Sequence, residues 1–301
     1  MNNNLLKQKG RQFAAFIFRM GSKLLTGTKL ARIYPMPKIR NLFINYLRIN
    51  TPAMTQIGGN IMYLDYNDTL DLSIRGSYEP FEADLFKNEI QPGDIVLDIG
   101  AHIGYYTLIA AQLVGSGGRV FAFEPEPKNF SLLEKNIKIN NYSNIVAVQK
   151  AVSDKSATLK LYLAENNSGD HRIYDPNDGR SKFINIEVVK LDDFFKDYNR
   201  INVVKIDVQG AEGGVLKGME NLIQYNKNIK IFTEFGISEK GNMFRIPPME
   251  YLKLLKRFGF CVIYHINEKT KKFEFFNINS LIKRYPFQLD ETVNFLCKKA
   301  I

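Results

Sequence analysis

The most constraining feature of this chain is the run VLDIGAHIG, Val96 to Gly104, which closes an apolar strand-like segment and opens a helix-like one. A strand, a tight turn and a helix N-terminus bring backbone N–H groups and the positive end of a helix dipole to one spot. Gly100 and Gly104, lacking Cβ atoms, are expected to let a ligand approach the backbone there. Twenty residues past Gly104, Glu124 ends the next apolar run RVFAFE, where a carboxylate can accept hydrogen bonds from the two hydroxyls of a ribose. The spacing predicts a nucleoside-containing ligand.

A dinucleotide site carries three glycines as G-x-G-x-x-G to admit a pyrophosphate. This turn reads Gly100, Ala101, His102, Ile103, Gly104, without the first close pair. Asp98, just before it, would repel a pyrophosphate but can orient an ammonium. S-adenosylmethionine (SAM) has that ammonium and a ribose without phosphates, so it fits better than NAD.

The surrounding pattern is α/β. Ile95–Gly100, Arg119–Glu124, Ile145–Val152, Asn202–Asp207 and Ile229–Phe235 read as strands one to five, with Phe260–Ile266 and Thr292–Cys297 as closing strands. Helical periodicity falls at Tyr105–Val114, Lys128–Asn140, Ala211–Tyr225 and Pro248–Phe258. Between strands three and four the alternation breaks. Thr158–Leu163 and Phe183–Leu191 read as an inserted hairpin, about residues 157–191, joined by a long polar loop. A second hairpin, about 57–76, is expected as a cap before strand one, pairing NIMYLDY with LDLSI. The expected domains are a basic helical extension, 1–50, and one α/β domain, 51–301.

The quoted segments LDIGAHIGYYTLIAA, FAFEPEP, AVSD, KLDDF, VKIDVQGAE, VLKG and FTEF, in this order, resemble the FkbM family of SAM-dependent methyltransferases. The resemblance implies a class I methyltransferase (Rossmann-like) fold: a doubly wound, mostly parallel seven-stranded sheet of order 3-2-1-4-5-7-6 whose last strand is antiparallel. It also implies methylation of hydroxyls on sugars, glycolipids, polysaccharides or polyketides. By matching positions, Asp98, Gly100, Ala101 and Gly104 would hold the amino-acid end of SAM, Glu124 the ribose, and Ala151 and Val152 the adenine. The chain departs from the family at His102, at Gln209, where Glu is frequent, and at Gly213-Gly214.

Methyl transfer from a sulfonium to a hydroxyl needs alignment and removal of one proton. Asp207 and Glu234 end strands four and five, neighbours in this fold, and are the expected base and orienter. Alternatively they bind Mg²⁺, which would acidify the acceptor hydroxyl. Lys205, two residues before Asp207, is expected in an ion pair with a strand-end carboxylate. In the inserted loop, Asn166, Ser168, Asp170, His171 and Arg172 form a polar cluster able to read a sugar, with His171 a second candidate base. Tyr78 and Glu82 either close over the cofactor or start a helix, and Glu212 either serves the site or meets a helix dipole.

Residues 1–50 hold ten of the 41 Lys and Arg and no Asp or Glu, leaving 31 basic against 31 acidic residues in the rest. The net charge of +10 therefore belongs to this segment. Leu6, Phe13, Ile17, Met20 and Leu24 share one helical arc, opposite Lys7, Arg11, Arg19 and Lys23. Such a helix, residues 1–30, either docks on an anionic membrane surface or packs on protein. Its apolar run is too short to span a bilayer, so a cytoplasmic location, peripheral at most, is expected. RNA is the rival partner of a basic arm, but DVQG follows strand four where base methylases carry an N/D-P-P-aromatic turn. Nucleic acid is therefore not expected. Three histidines and two cysteines show no zinc spacing.

Overall fold

A computed structural model describes residues 51–196, 200–235, 246–284 and 293–299, with 10, 13–18, 20, 21, 38, 39, 42, 44 and 47 nearer the N-terminus. The chain forms two compact units, Met1–Tyr78 and Glu79–Ile301.

In the first unit residues 13–18 are helical, as are 38, 39, 42, 44 and 47. Ala15, Leu47 and Ile74 form one apolar cluster in it, with Ala14, Phe18 and Ile44 against them. Leu6, Lys7, Arg11, Arg19, Lys23 and Leu24, expected to define an amphipathic helix, lie outside the described residues. The hairpin is β1 (Met54–Ile57) with β2 (Asn60–Tyr63), turning at Gly58-Gly59. The expected partner LDLSI is instead a helical turn, α1 (Leu72–Arg75). The cause is Asp68, whose carboxylate accepts from the N–H groups of Leu72 and Ser73 at 2.9 Å, capping a turn where a strand would leave them open.

The second unit opens with α2 (Pro80–Glu89), then β3 (Ile95–Ile99), α3 (Tyr105–Val114), β4 (Arg119–Phe123), α4 (Pro127–Ile139) and β5 (Ile145–Val148). An insertion follows, consisting of β6 (Ala151–Val152), β7 (Ala157–Tyr162) and β8 (Phe183–Val189). The chain then runs through α5 (Leu191–Phe194), β9 (Val203–Ile206), α6 (Glu212–Gly218), α7 (Glu220–Tyr225), β10 (Lys230–Phe235), α8 (Pro248–Arg257), β11 (Phe260–Asn267), β12 (Lys272–Asn277), α9 (Ile278–Arg284) and β13 (Val293–Lys299).

Eight strands form the main sheet in the order β12-β11-β13-β10-β9-β3-β4-β5. Read from β5, this is the class I methyltransferase order 3-2-1-4-5-7-6 with one more strand at the far edge. The pairs β3–β4, β4–β5, β3–β9 and β9–β10 are parallel, and β13 runs antiparallel to both β10 and β11. The central strands read as apolar runs because helices cover both faces. Leu97, Ile99, Val204, Ile206 and Ile231 are buried in one continuous core with Val215, Leu216, Leu252 and Leu255 of the helices.

Three local readings change. The expected third strand splits: the N–H of Lys150 turns back on the Val148 carbonyl at 2.9 Å, and Ala151–Val152 leave the main sheet to pair with Val188–Val189. The eighth strand, β12, is an edge strand with Phe273 and Phe275 exposed, so it lacks the buried face that makes strands legible. The helix expected over Ala211–Tyr225 breaks at Met219 into α6 and α7. The inserted hairpin forms as expected, β7 antiparallel to β8.

Candidate active site

The turn after β3 is held by backbone geometry. Gly100 and Ala101 both donate to the carbonyl of Phe123 in β4, at 2.9 and 3.0 Å. Gly100 has φ +86°, and a Cβ there would lie 1.9 Å from the Asp207 carbonyl oxygen. A Cβ on Gly104, φ +94°, would lie 2.7 Å from Leu133 of α4. Packing against Asp207 and Leu133, together with the left-handed φ at both positions, therefore favours glycine here.

Asp98, 2% exposed, accepts from the Thr107 hydroxyl and backbone in the first turn of α3. That helix has no side-chain cap and no acidic residue in its first turn, so Asp98 serves as its internal anion. Burial pushes the Asp98 carboxyl up to about 6 against the lowering effects of Thr107 and Lys205.

Glu124 closes the other side of the turn. Its two carboxylate oxygens accept the His102 N–H at 2.8 Å and the Glu126 N–H at 2.9 Å. Burial pushes it up to about 7 despite these bonds. A carboxylate has about four lone-pair sites, so acceptor capacity remains for a ribose diol. His102 (φ +51°) places its Nε2 2.8 Å from Ser168 Oγ, and the Ser168 carbonyl accepts from Asn129 Nδ2 at 2.9 Å. The inserted loop thereby meets both the glycine turn and α4. Ser168 and Glu124 are legible in the sequence as separate features; Asn129 is not. The donors and acceptors present suit a nucleoside with an amino-acid tail. Ala151 packs among Leu161, Ile186 and Val188 in the small sheet, and Val152 in the main core.

At the tips of β9 and β10, Asp207 and Glu234 come together through Gln209. The Gln209 amide donates to Asp207 Oδ1 at 2.7 Å and stands 3.4 Å from Glu234 Oε2. Gln209 holds φ +53°, a strained conformation for a residue with a side chain. Behind Asp207, Lys205 lies 3.1 Å from Glu82 and 3.7 Å from Asp207. Lys205 and Glu82 are fully enclosed, whereas the Asp207 side chain is 27% exposed. Burial opposes the Lys205 charge, but Glu82, Asp207 and Glu79 outweigh it and raise its pKa. Burial and the Glu82 charge push Glu79 up to about 8. Asn294 of β13 donates to Glu82, and Lys205 lies over the Tyr106 ring at 5.0 Å. Glu79, Tyr106 and Asn294 carry no motif in the sequence; strand order brings them to Lys205. The ion pair expected for Lys205 is present, with Glu82 its nearer partner. Glu82 is therefore a buried counter-ion, and the α2 N-terminus is capped instead by Glu268, which accepts from Phe81 and Glu82 N–H at 3.1–3.2 Å.

Glu212 accepts from the N–H groups of Gly210 and Val208 at 3.0 and 3.2 Å, which ties down the loop behind Asp207. Tyr174 of the insertion donates to the Gln209 carbonyl at 2.8 Å. Asp170 is gripped by Arg172 at 2.7 and 2.9 Å and by Arg180. His171 Nδ1 accepts from the Ala164 N–H at 3.0 Å, so its neutral ring carries the proton on Nε2. Burial lowers its pKa, and the charges acting on it come from Glu126, His102, Arg180 and Asp170.

Among the described residues no group of three or more His, Cys, Asp and Glu is arranged to hold a metal ion. Asp207 faces an amide donor and a buried ammonium, groups that compete with a hard cation for its oxygens. The donor set does not suit the Mg²⁺ considered from sequence.

The sequence model of the methyltransferase FkbM domain matches residues 98–288. The chain belongs to that family. Among curated FkbM-type and other methyltransferases, it is 28% identical to Methyltransferase 1 of Beauveria bassiana over 42% of this chain and 58% of that protein. It is 27% identical to the hexuronic acid methyltransferase AglP of Haloferax volcanii over 64% of this chain and 78% of AglP. It is 31% identical to the 31-O-demethyl-FK506 methyltransferase FkbM of Streptomyces tacrolimicus over 44% of this chain and 62% of that protein. The chain thus spans about three fifths of the fungal and Streptomyces relatives. No helix among the described residues is long and apolar enough to cross a membrane.

Proposed function

We propose that this protein transfers a methyl group from SAM to a hydroxyl of a sugar, glycolipid, polysaccharide or polyketide-like acceptor. The observation that carries the reading is the position of Asp207. Its backbone carbonyl abuts the glycine turn at Gly100, while its accessible carboxylate is flanked by Gln209 and Lys205. A base there faces the cofactor turn and solvent together.

SAM, when bound, supplies a methyl group on a positively charged sulfur. Glu124 receives the ribose hydroxyls, and the turn 100–104 with the N-terminus of α3 faces the amino-acid end. Ala151 and Val152 back the adenine side. Asp207 accepts the acceptor's proton, Gln209 fixes the rotamer of that carboxylate, and Glu234 orients the hydroxyl. Tyr174 and the Asp170–Arg172–Arg180 cluster brace the insertion as the acceptor wall. His171 contributes a hydrogen-bond donor, Nε2–H, in place of the second base considered from sequence. The names of two relatives, a hexuronic acid methyltransferase and a 31-O-demethyl-FK506 methyltransferase, support a hydroxyl-bearing acceptor.

The test is incubation with methyl-labelled SAM and separate glycan, lipid and RNA fractions, with and without EDTA. Base-stable label in glycan or lipid, unaffected by EDTA, is expected for a methyl ether; base-labile label would mark a methyl ester and overturn the hydroxyl reading. Label in RNA alone overturns the reading.

A further inference from the structure

We propose that the N-terminal unit is a docking surface for an anionic lipid bilayer. At about 100° per residue, Phe13, Phe16, Ile17 and Met20 fall within one arc of the first helix. All four are exposed, by 66, 53, 47 and 49%. The opposite arc, Ala14, Ala15 and Phe18, packs on Leu47 and Ile74. The second helical stretch repeats the arrangement: Ile44 and Leu47 turn inward, while Ile39 and Leu42, three apart, are exposed by 52 and 70%. This cluster is thus built from one set of apolar residues, while six other large ones among the described residues are exposed.

Charge selects the occupant. The same fifty residues hold ten Lys and Arg and no acid. A second copy of the chain would bring two such segments together and is opposed by their repulsion. RNA would satisfy the cations but leave Ile17, Met20, Ile39 and Leu42 without an apolar partner. A leaflet with anionic headgroups answers both requirements, with acyl chains for the side chains and phosphates for the cations. The short apolar faces fit a helix lying in the interface, not one crossing it.

The full chain is tested by co-sedimentation with phosphatidylcholine vesicles with and without 30% phosphatidylglycerol. The chain contains no Trp, so Phe16→Trp gives a single fluorophore for insertion. Binding at least tenfold tighter to the anionic vesicles is expected, with a blue-shifted emission quenched by brominated lipid. Phe16→Ser with Ile17→Ser, and separately Ile39→Ser with Leu42→Ser, should each weaken binding at least fivefold while leaving SAM binding unchanged. Equal binding to neutral vesicles, unshifted emission, or serine variants that bind as the parent does would each overturn the proposal. Concentration-dependent dimerisation, or binding to poly(U), abolished by the same serine pairs would overturn it in favour of a protein or RNA partner.

Discussion

Gln209 and Asp207 are joined by a 2.7 Å hydrogen bond in which the amide of Gln209 donates to the carboxylate at the tip of β9. The same amide nitrogen is 3.4 Å from Glu234, so a neutral donor stands between two acids. A third carboxylate at that position could not donate and would add like charge.

Gln209→Glu should therefore lower kcat about tenfold at pH 7 and move the acidic limb of its pH profile to higher pH. Binding of S-adenosylhomocysteine should change less than twofold. Steady-state kinetics between pH 5.5 and 9 with calorimetry check this. Asp207→Ala should reduce kcat by about 10²-fold or more, the usual contribution of a general base, while sparing cofactor binding. Normal turnover would remove Asp207 from the chemistry.

The Lys205–Glu82 pair is enclosed on all sides. Removing one partner leaves a buried charge, so Lys205→Met should destabilise the protein by about 3–5 kcal/mol. Adding Glu82→Gln should recover much of that loss. Urea denaturation of the two variants measures the difference, and equal stability of single and double variants would refute the coupling.

Burial raises Glu124 from 4.5 to about 7 in the folded chain. The folded state therefore keeps a proton that the unfolded state has released, and this group's stabilisation is lost as pH rises from about 4.5 to 7. On the proposed role of Glu124, ribose hydroxyls would donate to its ionised form, so affinity for S-adenosylhomocysteine should rise over the same upper range. Calorimetry at pH 6 and 8 should show several-fold tighter binding at pH 8 in the parent. In Glu124→Gln that dependence should vanish and affinity fall at both values.

Gly100→Ala would set a methyl group 1.9 Å from the Asp207 carbonyl and force a left-handed φ on alanine. A loss of roughly 2–4 kcal/mol is expected from overpacking and strain together. The loss should appear in thermal unfolding without cofactor, which separates packing from ligand binding as the reason for the glycine.

Tyr174→Phe removes the bond from the insertion to the Gln209 carbonyl. A few-fold rise in KM for the acceptor is expected, matching the ~1 kcal/mol of one hydrogen bond, with little change in KM for SAM. A selective effect on SAM would place the insertion elsewhere in the reaction.

Local chemistry determined much of this protein. The apolar runs of β3, β4, β9 and β10, the glycine turn and the acid closing β4 each follow from periodicity and residue type over short stretches. So does the reach of Lys205 to a carboxylate, since an ammonium within a central strand must be paired. Tertiary structure decided which carboxylate: Glu82 lies 123 positions earlier in the chain and meets Lys205 because α2 packs through Phe86 on Phe232 of β10, the strand beside β9. Long-range placement likewise decided that Gly100 is forced by Asp207 and that Gln209, two residues from Asp207, also reaches Glu234 of β10. Periodicity records which face of an element is buried; only the packed sheet records what it is buried against.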